Sequence, residues 1–141
     1  MELKSKISTS IEQSKKLLEL GLKPETADMV FRPFGDDTVM LNTWDWIFGK
    51  PSGEWKTPAW SLSRLIELMP EEIKDKEHGE SFYLTIDKGD NSVSYRDENF
   101  HLKASISNTF IDRNLFDSLI EMIDWLIKNN YFNKEYLCNK I

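Results

Sequence analysis

The chain has 141 residues and a formal net charge of −6 at pH 7. Hydrophobic residues make up 40% of it and charged residues 30%, which is typical of a folded globular protein and argues against disorder. Its length suits one domain, so we expect a single domain over residues 1–141. Apolar runs of only a few residues argue against a membrane-spanning helix. The single cysteine, Cys138, cannot form an internal disulfide, and we expect a cytoplasmic protein.

The negative charge is concentrated in one stretch of the chain. Residues 67–98 contain ten acidic and four basic residues, a net charge of −6. Such a stretch disfavours binding to nucleic acid, because that binding depends on Lys and Arg displacing phosphate counterions. We interpret it as a solvated face. The sequence thus predicts neither a nucleic-acid partner nor a membrane contact.

A helix is predicted over residues 8–20, where Thr9 and Glu12 stand at the spacing of a capping box. Two β-prone runs follow, at residues 29–32 and 38–46. Turn-forming residues separate them, so we interpret the pair as a β-hairpin.

The second predicted helix has clear boundary residues. Thr57 is the expected N-cap, Pro58 occupies the first helical position, and Pro70 lies beyond the end. The apolar residues inside it recur at helical spacing and predict one buried stripe: Leu62, Leu65, Ile66 and Met69. Residues 71–80 read as a charged connection.

Three strands are predicted next, over residues 82–87, 92–97 and 100–107, and short polar turns favour a meander. Apolar and polar residues alternate along the first and third strands, which indicates one face on the core and one in water. The expected core-facing residues are Phe82, Leu84, Ile86, Phe100, Leu102, Ala104 and Ile106.

The last helix is predicted over residues 114–128, with a wide apolar stripe suited to packing across a sheet. Residues 131–141 are interpreted as a tail, either flexible or making a contact. The fold class is therefore α+β in the order αββαβββα: a small antiparallel sheet, formed by the hairpin and the meander, against about three helices. A monomer and a homodimer through the last helix and tail both stay open.

Four blocks of the sequence stand out: ISTSIEQSKKLLELGL at residues 7–22, TADM at 26–29, TPAWSLSRLIELMP at 57–70, and NLFDSLIEMIDWLIKNNY at 114–131. Together they resemble a family of small proteins of unknown activity from Bacteroides genomes and their phages and mobile elements. The charged connection and the meander lie outside the match. The resemblance implies a bacterial cytoplasm and a mobile-element setting, but no activity, cofactor or catalytic residue.

The candidate binding residues come from a cluster of aromatic residues. Four of the five tryptophans fall within residues 44–60. Burying an indole is favourable by about 4–6 kcal/mol at ~25 cal/mol per Å², so most of these rings are expected in the core. The alternative is an aromatic patch that docks a peptide, a protein partner or stacked rings. Its residues are Trp44, Trp46, Trp55, Trp60 and Lys56.

The sequence contains little that indicates catalysis. Glu54 and Lys56 have the Glu-x-Lys spacing of restriction-type nucleases, and Asp45 is a candidate second Mg²⁺ ligand. This motif defines the alternative function, a metal-dependent enzyme acting on nucleic acid. His78 and His101 are expected at the surface. The sequence otherwise predicts no catalytic residue, metal site or cofactor, and favours a non-catalytic accessory protein that acts through a protein partner.

Overall fold

The computed structural model describes residues 6–31, 39–41, 57–107 and 114–138. The chain divides into two compact units: Met1–Leu68 with Lys134–Ile141, and Met69–Asn133. Helices and antiparallel sheets are both present, which confirms the α+β class. The elements follow the predicted order αββαβββα with two further short strands. A single domain over residues 1–141 stays a prediction.

The first helix, α1, spans Ile11–Leu20 and begins with a capping box. The hydroxyl oxygen of Ser10 accepts from the backbone N–H of Gln13 at 3.1 Å, and the Gln13 side chain accepts from the backbone N–H of Ser10 at 2.9 Å. The predicted box at Thr9 and Glu12 is therefore wrong by one residue. Thr9 cannot cap the helix because its buried hydroxyl is bonded to Ser14 at 2.8 Å.

The predicted hairpin is confirmed. Strand β1 (Met29–Phe31) pairs antiparallel with strand β2 (Val39–Leu41), with Val30 opposite Met40. A third strand, β3 (Pro58–Ala59), pairs with the other side of β1. The first unit thus contains a small sheet in the order β2-β1-β3.

The predicted start of the second helix is wrong. Pro58 belongs to β3, an edge strand, where its missing N–H is tolerated. Helix α2 spans Leu62–Leu68, and the Ser61 hydroxyl accepts from the backbone N–H of Arg64 at 3.1 Å. Ser61 therefore takes the capping role expected of Thr57. Within the predicted stripe, Leu65 and Met69 are buried. Leu62 and Ile66 are half-buried.

From Lys134 onward, the described part of the tail belongs to the first unit. A short 3₁₀ turn spans Lys134–Tyr136. Leu137 forms an antiparallel bridge with Leu22, and the backbone N–H of Cys138 donates to the carbonyl of Gly21 at 2.7 Å. Residues 136–138 therefore make backbone contacts just after the end of α1.

The second unit contains a four-stranded antiparallel sheet in the order β4-β5-β6-β7. Its strands are Glu72–Lys74, Ser81–Asp87, Ser92–Arg96 and Leu102–Ile106. The predicted meander is confirmed in the last three strands. Strand β4 lies within the stretch interpreted as a charged connection, and its alternation is too short to be recognised from the sequence.

Helix α3 spans Leu115–Lys128 and packs on β6 and β7. Asn114 is its N-cap and forms a capping box with Asp117. The inner face of the sheet meets this helix, and the Tyr95 hydroxyl on that face donates to the carbonyl of Pro70 at 2.7 Å. The buried apolar residues of this unit's strands and helix are Ile73, Phe82, Val93, Tyr95, Phe116, Leu119, Ile120, Met122, Ile123 and Leu126.

The third strand of the meander departs from its predicted alternation. Phe100 and Leu102 were expected on the core, but they are 77% and 53% exposed. A register shift between Tyr95 and Arg96 places Leu102 opposite Arg96 and Ala104 opposite Tyr95, so Lys103 is the extra residue of a bulge. One extra residue reverses which face the preceding side chains occupy. Leu102 therefore lies on the outer face of the sheet.

Candidate interaction surface

Of the five predicted binding residues, the structure describes only Trp60. Trp44, Trp46, Trp55 and Lys56 lie outside the described residues, as do both carboxylates of the predicted Mg²⁺ site. Trp60 exposes none of its surface. It belongs to the core, as expected for most of the cluster, and does not form part of an exposed patch.

Trp60 is held by a buried polar network. Its backbone N–H donates to the Thr9 hydroxyl at 3.1 Å, and its carbonyl accepts from the Thr9 N–H at 2.9 Å. The indole N–H donates to the Thr26 hydroxyl at 3.0 Å. Each polar group of Trp60 therefore has a partner, as a buried tryptophan requires. The network joins α1 to β3 and gives Trp60 a structural role.

The outer face of the four-stranded sheet carries an exposed row of side chains. Tyr83 on β5 is opposite Arg96 on β6, and Arg96 is opposite Leu102 on β7. Paired residues of antiparallel strands point to the same face, about 5 Å apart. Tyr83 is 40% exposed. The row therefore presents an aromatic ring and an aliphatic side chain to solvent, about 10 Å apart across two strand spacings.

The loop between β6 and β7 presents a second aromatic ring beside this row. Phe100 has a φ of 63°, a conformation rarely adopted by bulky residues. Its backbone N–H donates to the carbonyl of Asp97 at 3.1 Å. The ring is the most exposed large hydrophobic side chain among the described residues. The loop therefore holds an apolar side chain in water with a strained backbone.

Asp97 fixes the conformation of this loop. Its carboxylate accepts from the backbone N–H groups of Asn99 at 2.9 Å and His101 at 2.8 Å, and contacts the His101 ring nitrogen Nδ1 at 3.0 Å. Partial burial raises the pKa of Asp97, but the hydrogen bonds from His101 and Asn99 outweigh it and hold the pKa below its ordinary value of 3.8. His101 is exposed, as predicted, and its contact with Asp97 is local to the loop.

An open hollow of about 330 Å³ adjoins Tyr83. The six residues that line it come from the start of β5 and from the β6–β7 loop: Glu80, Ser81, Tyr83, Asp97, Glu98 and Asn99. Because Tyr83 belongs both to the exposed row and to the lining, the hollow and the row form one continuous surface. We call Tyr83, Arg96, Phe100 and Leu102, together with the hollow, the outer surface.

A separate polar cluster contains Lys103, the extra residue of the bulge. The Lys103 ammonium contacts the Asp75 carboxylate at 2.9 Å, and His78 Nδ1 contacts its other oxygen at 2.9 Å. The Asp75 side chain is only 10% exposed. The hydrogen bond from Lys103 is the largest cause that holds the pKa of Asp75 well below its ordinary value, followed by the one from His78. The cluster ties β7 to the turn after β4.

Next to this cluster, Lys76 donates to the carbonyl of Asn129 at 2.8 Å, at the C-terminal end of α3. Its ammonium also lies 5.0 Å from the centre of the Tyr131 ring, which stacks on Trp125 at 5.6 Å. A cation here stabilises the negative end of the helix dipole. Trp125 is half-buried, and these contacts are structural.

The described residues contain no group of three or more His, Cys, Asp or Glu side chains arranged to hold a metal ion. Among them, no helix has both the length and the apolar character needed to cross a membrane. Comparisons with protein-family models, with curated proteins and with solved structures gave no match.

The sequence pattern did not identify the outer surface. Tyr83 and Leu102 sit in runs that read as ordinary alternating strands. One signal was available: Phe100 follows Asp97-Glu98-Asn99, a segment typical of tight turns. A large apolar residue within such a segment is a candidate for exposure.

Proposed function

We propose that this chain is a non-catalytic interaction protein that binds a protein partner through its outer surface. The observation that carries this proposal is the presentation of Phe100, which is 77% exposed on a loop whose backbone is fixed by Asp97. An accessory role in a bacterial phage or mobile element accompanies the proposal and rests on the sequence resemblance, and a cytoplasmic location rests on the resemblance and on the single cysteine.

The energetic argument concerns both the ring and its backbone. Burying a Phe side chain contributes about 1.5–3 kcal/mol, and a non-glycine residue in the left-handed region costs about 1–2 kcal/mol. In the folded chain alone, the Phe100 ring stays exposed and its backbone stays in the left-handed region. A partner that covers the ring recovers the burial energy without ordering the loop, because the loop is already fixed.

The composition of the surface agrees with a protein contact. Aromatic residues and arginine are enriched in protein interfaces and supply most of their binding energy. The outer surface combines two aromatic rings, an arginine and a leucine. Its rim is polar, as in transient interfaces.

The experiment compares matched variants of the purified chain as bait in extracts of the bacterium that encodes it. Phe100→Ser with Leu102→Ser removes the exposed apolar side chains of the outer surface. Ile7→Ser is the control, since Ile7 is 60% exposed in the other unit. Circular dichroism checks that each bait is folded.

We expect the wild type and the Ile7→Ser control to retain the same partner and the double variant to lose it. If the folded double variant retains that partner at the wild-type level, the outer surface is not the binding site. The metal-dependent alternative, built on Asp45, Glu54 and Lys56, concerns residues outside the described ranges and stays a prediction.

A further inference from the structure

We infer that the partner segment is basic and places a lysine or arginine side chain in the hollow beside Tyr83. This inference rests on the proposed function and specifies the chemistry of the partner. It is based on the exposed apolar side chains of the outer surface and on the charged residues around them.

Two carboxylates at the hollow are available to a cation. Asp97 is occupied by its own loop, whereas Glu80 and Glu98 are exposed and form no ion pair with any described residue. Tyr83 adds an aromatic face to the same hollow. Carboxylates with an aromatic ring suit an ammonium or guanidinium group, which gains charge-assisted hydrogen bonds and a cation–π contact.

Within the described ranges, the two cations on the sheet beside the hollow are outnumbered by carboxylates. Lys74 is the register partner of Ser81, and Arg96 is that of Tyr83. The Arg96 Nε donates to the Ser94 hydroxyl at 3.0 Å, which anchors that side chain along β6. Among the described residues, four carboxylates lie on this part of the sheet and its β6–β7 loop beside these two cations: Glu72, Glu80, Asp97 and Glu98.

The size of the hollow favours one side chain of a larger partner. Its volume of about 330 Å³ is at the lower end of the range for small-molecule sites, about 300–1,000 Å³, and it is open to solvent. The β6–β7 loop, which lines one side of the hollow, also carries Phe100. A partner segment with a basic residue in the hollow can therefore place a neighbouring apolar residue against Phe100. The acidic stretch around the hollow would attract such a segment before contact.

The test uses a short fluorescein-labelled peptide of alternating arginine and leucine, and the same peptide with citrulline in place of arginine. Citrulline keeps the shape of arginine and removes its charge. The variant pair Glu80→Gln with Glu98→Gln removes the two available carboxylates. The control pair Glu25→Gln with Glu71→Gln changes the net charge equally at exposed positions outside the hollow.

We expect the wild type and the control pair to bind the arginine peptide roughly tenfold more tightly than the hollow pair does, since charge-assisted hydrogen bonds are lost. The citrulline peptide should bind all three proteins equally weakly. In amide NMR spectra, the arginine peptide should shift Ser81, Tyr83 and Asn99. Equal binding of the arginine peptide by the hollow pair and the control pair would overturn the inference.

Two further outcomes separate this inference from the proposed function. If the cellular partner is lost with Phe100→Ser and Leu102→Ser but kept by the hollow pair at every salt concentration, the basic segment is wrong and the interaction surface stands. If free arginine amide competes as strongly as the peptide does, the hollow is a small-cation site, and the docking of a basic segment is overturned.

Discussion

The Asp97 carboxylate contacts both the backbone N–H and the ring Nδ1 of His101, at 2.8 and 3.0 Å. These two residues bracket the loop that presents Phe100. Their contact fixes the backbone of the loop, which holds Phe100 at a positive φ with its ring exposed. The first two predictions concern this loop.

Replacing Asp97 with alanine should loosen the loop while the sheet stays folded. The backbone N–H groups of Asn99 and His101 lose their acceptor, so their hydrogen-exchange protection should fall. Asp90→Ala is the matched control, because Asp90 accepts from the N–H of Ser92 in the β5–β6 turn. Unchanged exchange at Asn99 and His101 in the Asp97 variant would show that the carboxylate does not hold the loop.

The loop should respond to acid in a defined direction. Because the pKa of Asp97 is lowered on folding, its contribution to stability is fully present above the ordinary pKa of 3.8 and is lost as the pH falls through the lower folded value. The carboxyl carbon of Asp97, followed by NMR, should titrate below pH 3.8 together with the amides of Asn99 and His101. A midpoint at or above 3.8 contradicts the assignment.

The ion pair between Asp75 and Lys103 should contribute more to stability than one of equal length on α3. Asp124 and Lys128 are also 2.9 Å apart, but their side chains are 33% and 71% exposed, against 10% and 32% for Asp75 and Lys103. Exposed pairs contribute little because of solvent screening. We expect Asp75→Asn to lower the urea midpoint and Asp124→Asn to leave it nearly unchanged. Equal midpoints would contradict a structural role for the Asp75 cluster.

Trp60 should be required for stability and not for binding. Trp60→Ala should destabilise the fold by about 3–5 kcal/mol, the cost of a large cavity in a core. Thr26→Val should cost about 1–3 kcal/mol, because the buried indole N–H loses its acceptor. Urea denaturation measures both changes. Thr26→Val should still capture the partner at the wild-type level, and its loss would return Trp60 to the list of candidate binding residues.

The order of elements and much of the second unit could be predicted from local patterns. Apolar spacing was enough for α3, and alternation was enough for β5, because both signals extend over many residues. The start of α2 was missed since Pro58 suits an edge strand as well as a first helical turn. Tertiary pairing with β1 decides between the two, and the local sequence does not contain that information.

The outer surface depends on two features that local periodicity does not record. The bulge at Lys103 moves Leu102 to the outer face, although its spacing from Ala104 places it on the core. The exposure of Phe100 depends on the hydrogen bonds of Asp97 within the turn. Trp60, the described member of the aromatic cluster, is buried, and its polar groups are satisfied by Thr9 and Thr26.

The most direct test of the interaction surface is site-specific photo-cross-linking in cells of the source organism. Benzoylphenylalanine replaces Phe100 in one variant and Ile7 in the other, and both products are identified by mass spectrometry. We expect a cross-link from position 100 to the protein that the wild type retains and that Phe100→Ser with Leu102→Ser loses. A cross-link from position 7 alone, or from position 100 only to a second copy of the chain, would contradict the account.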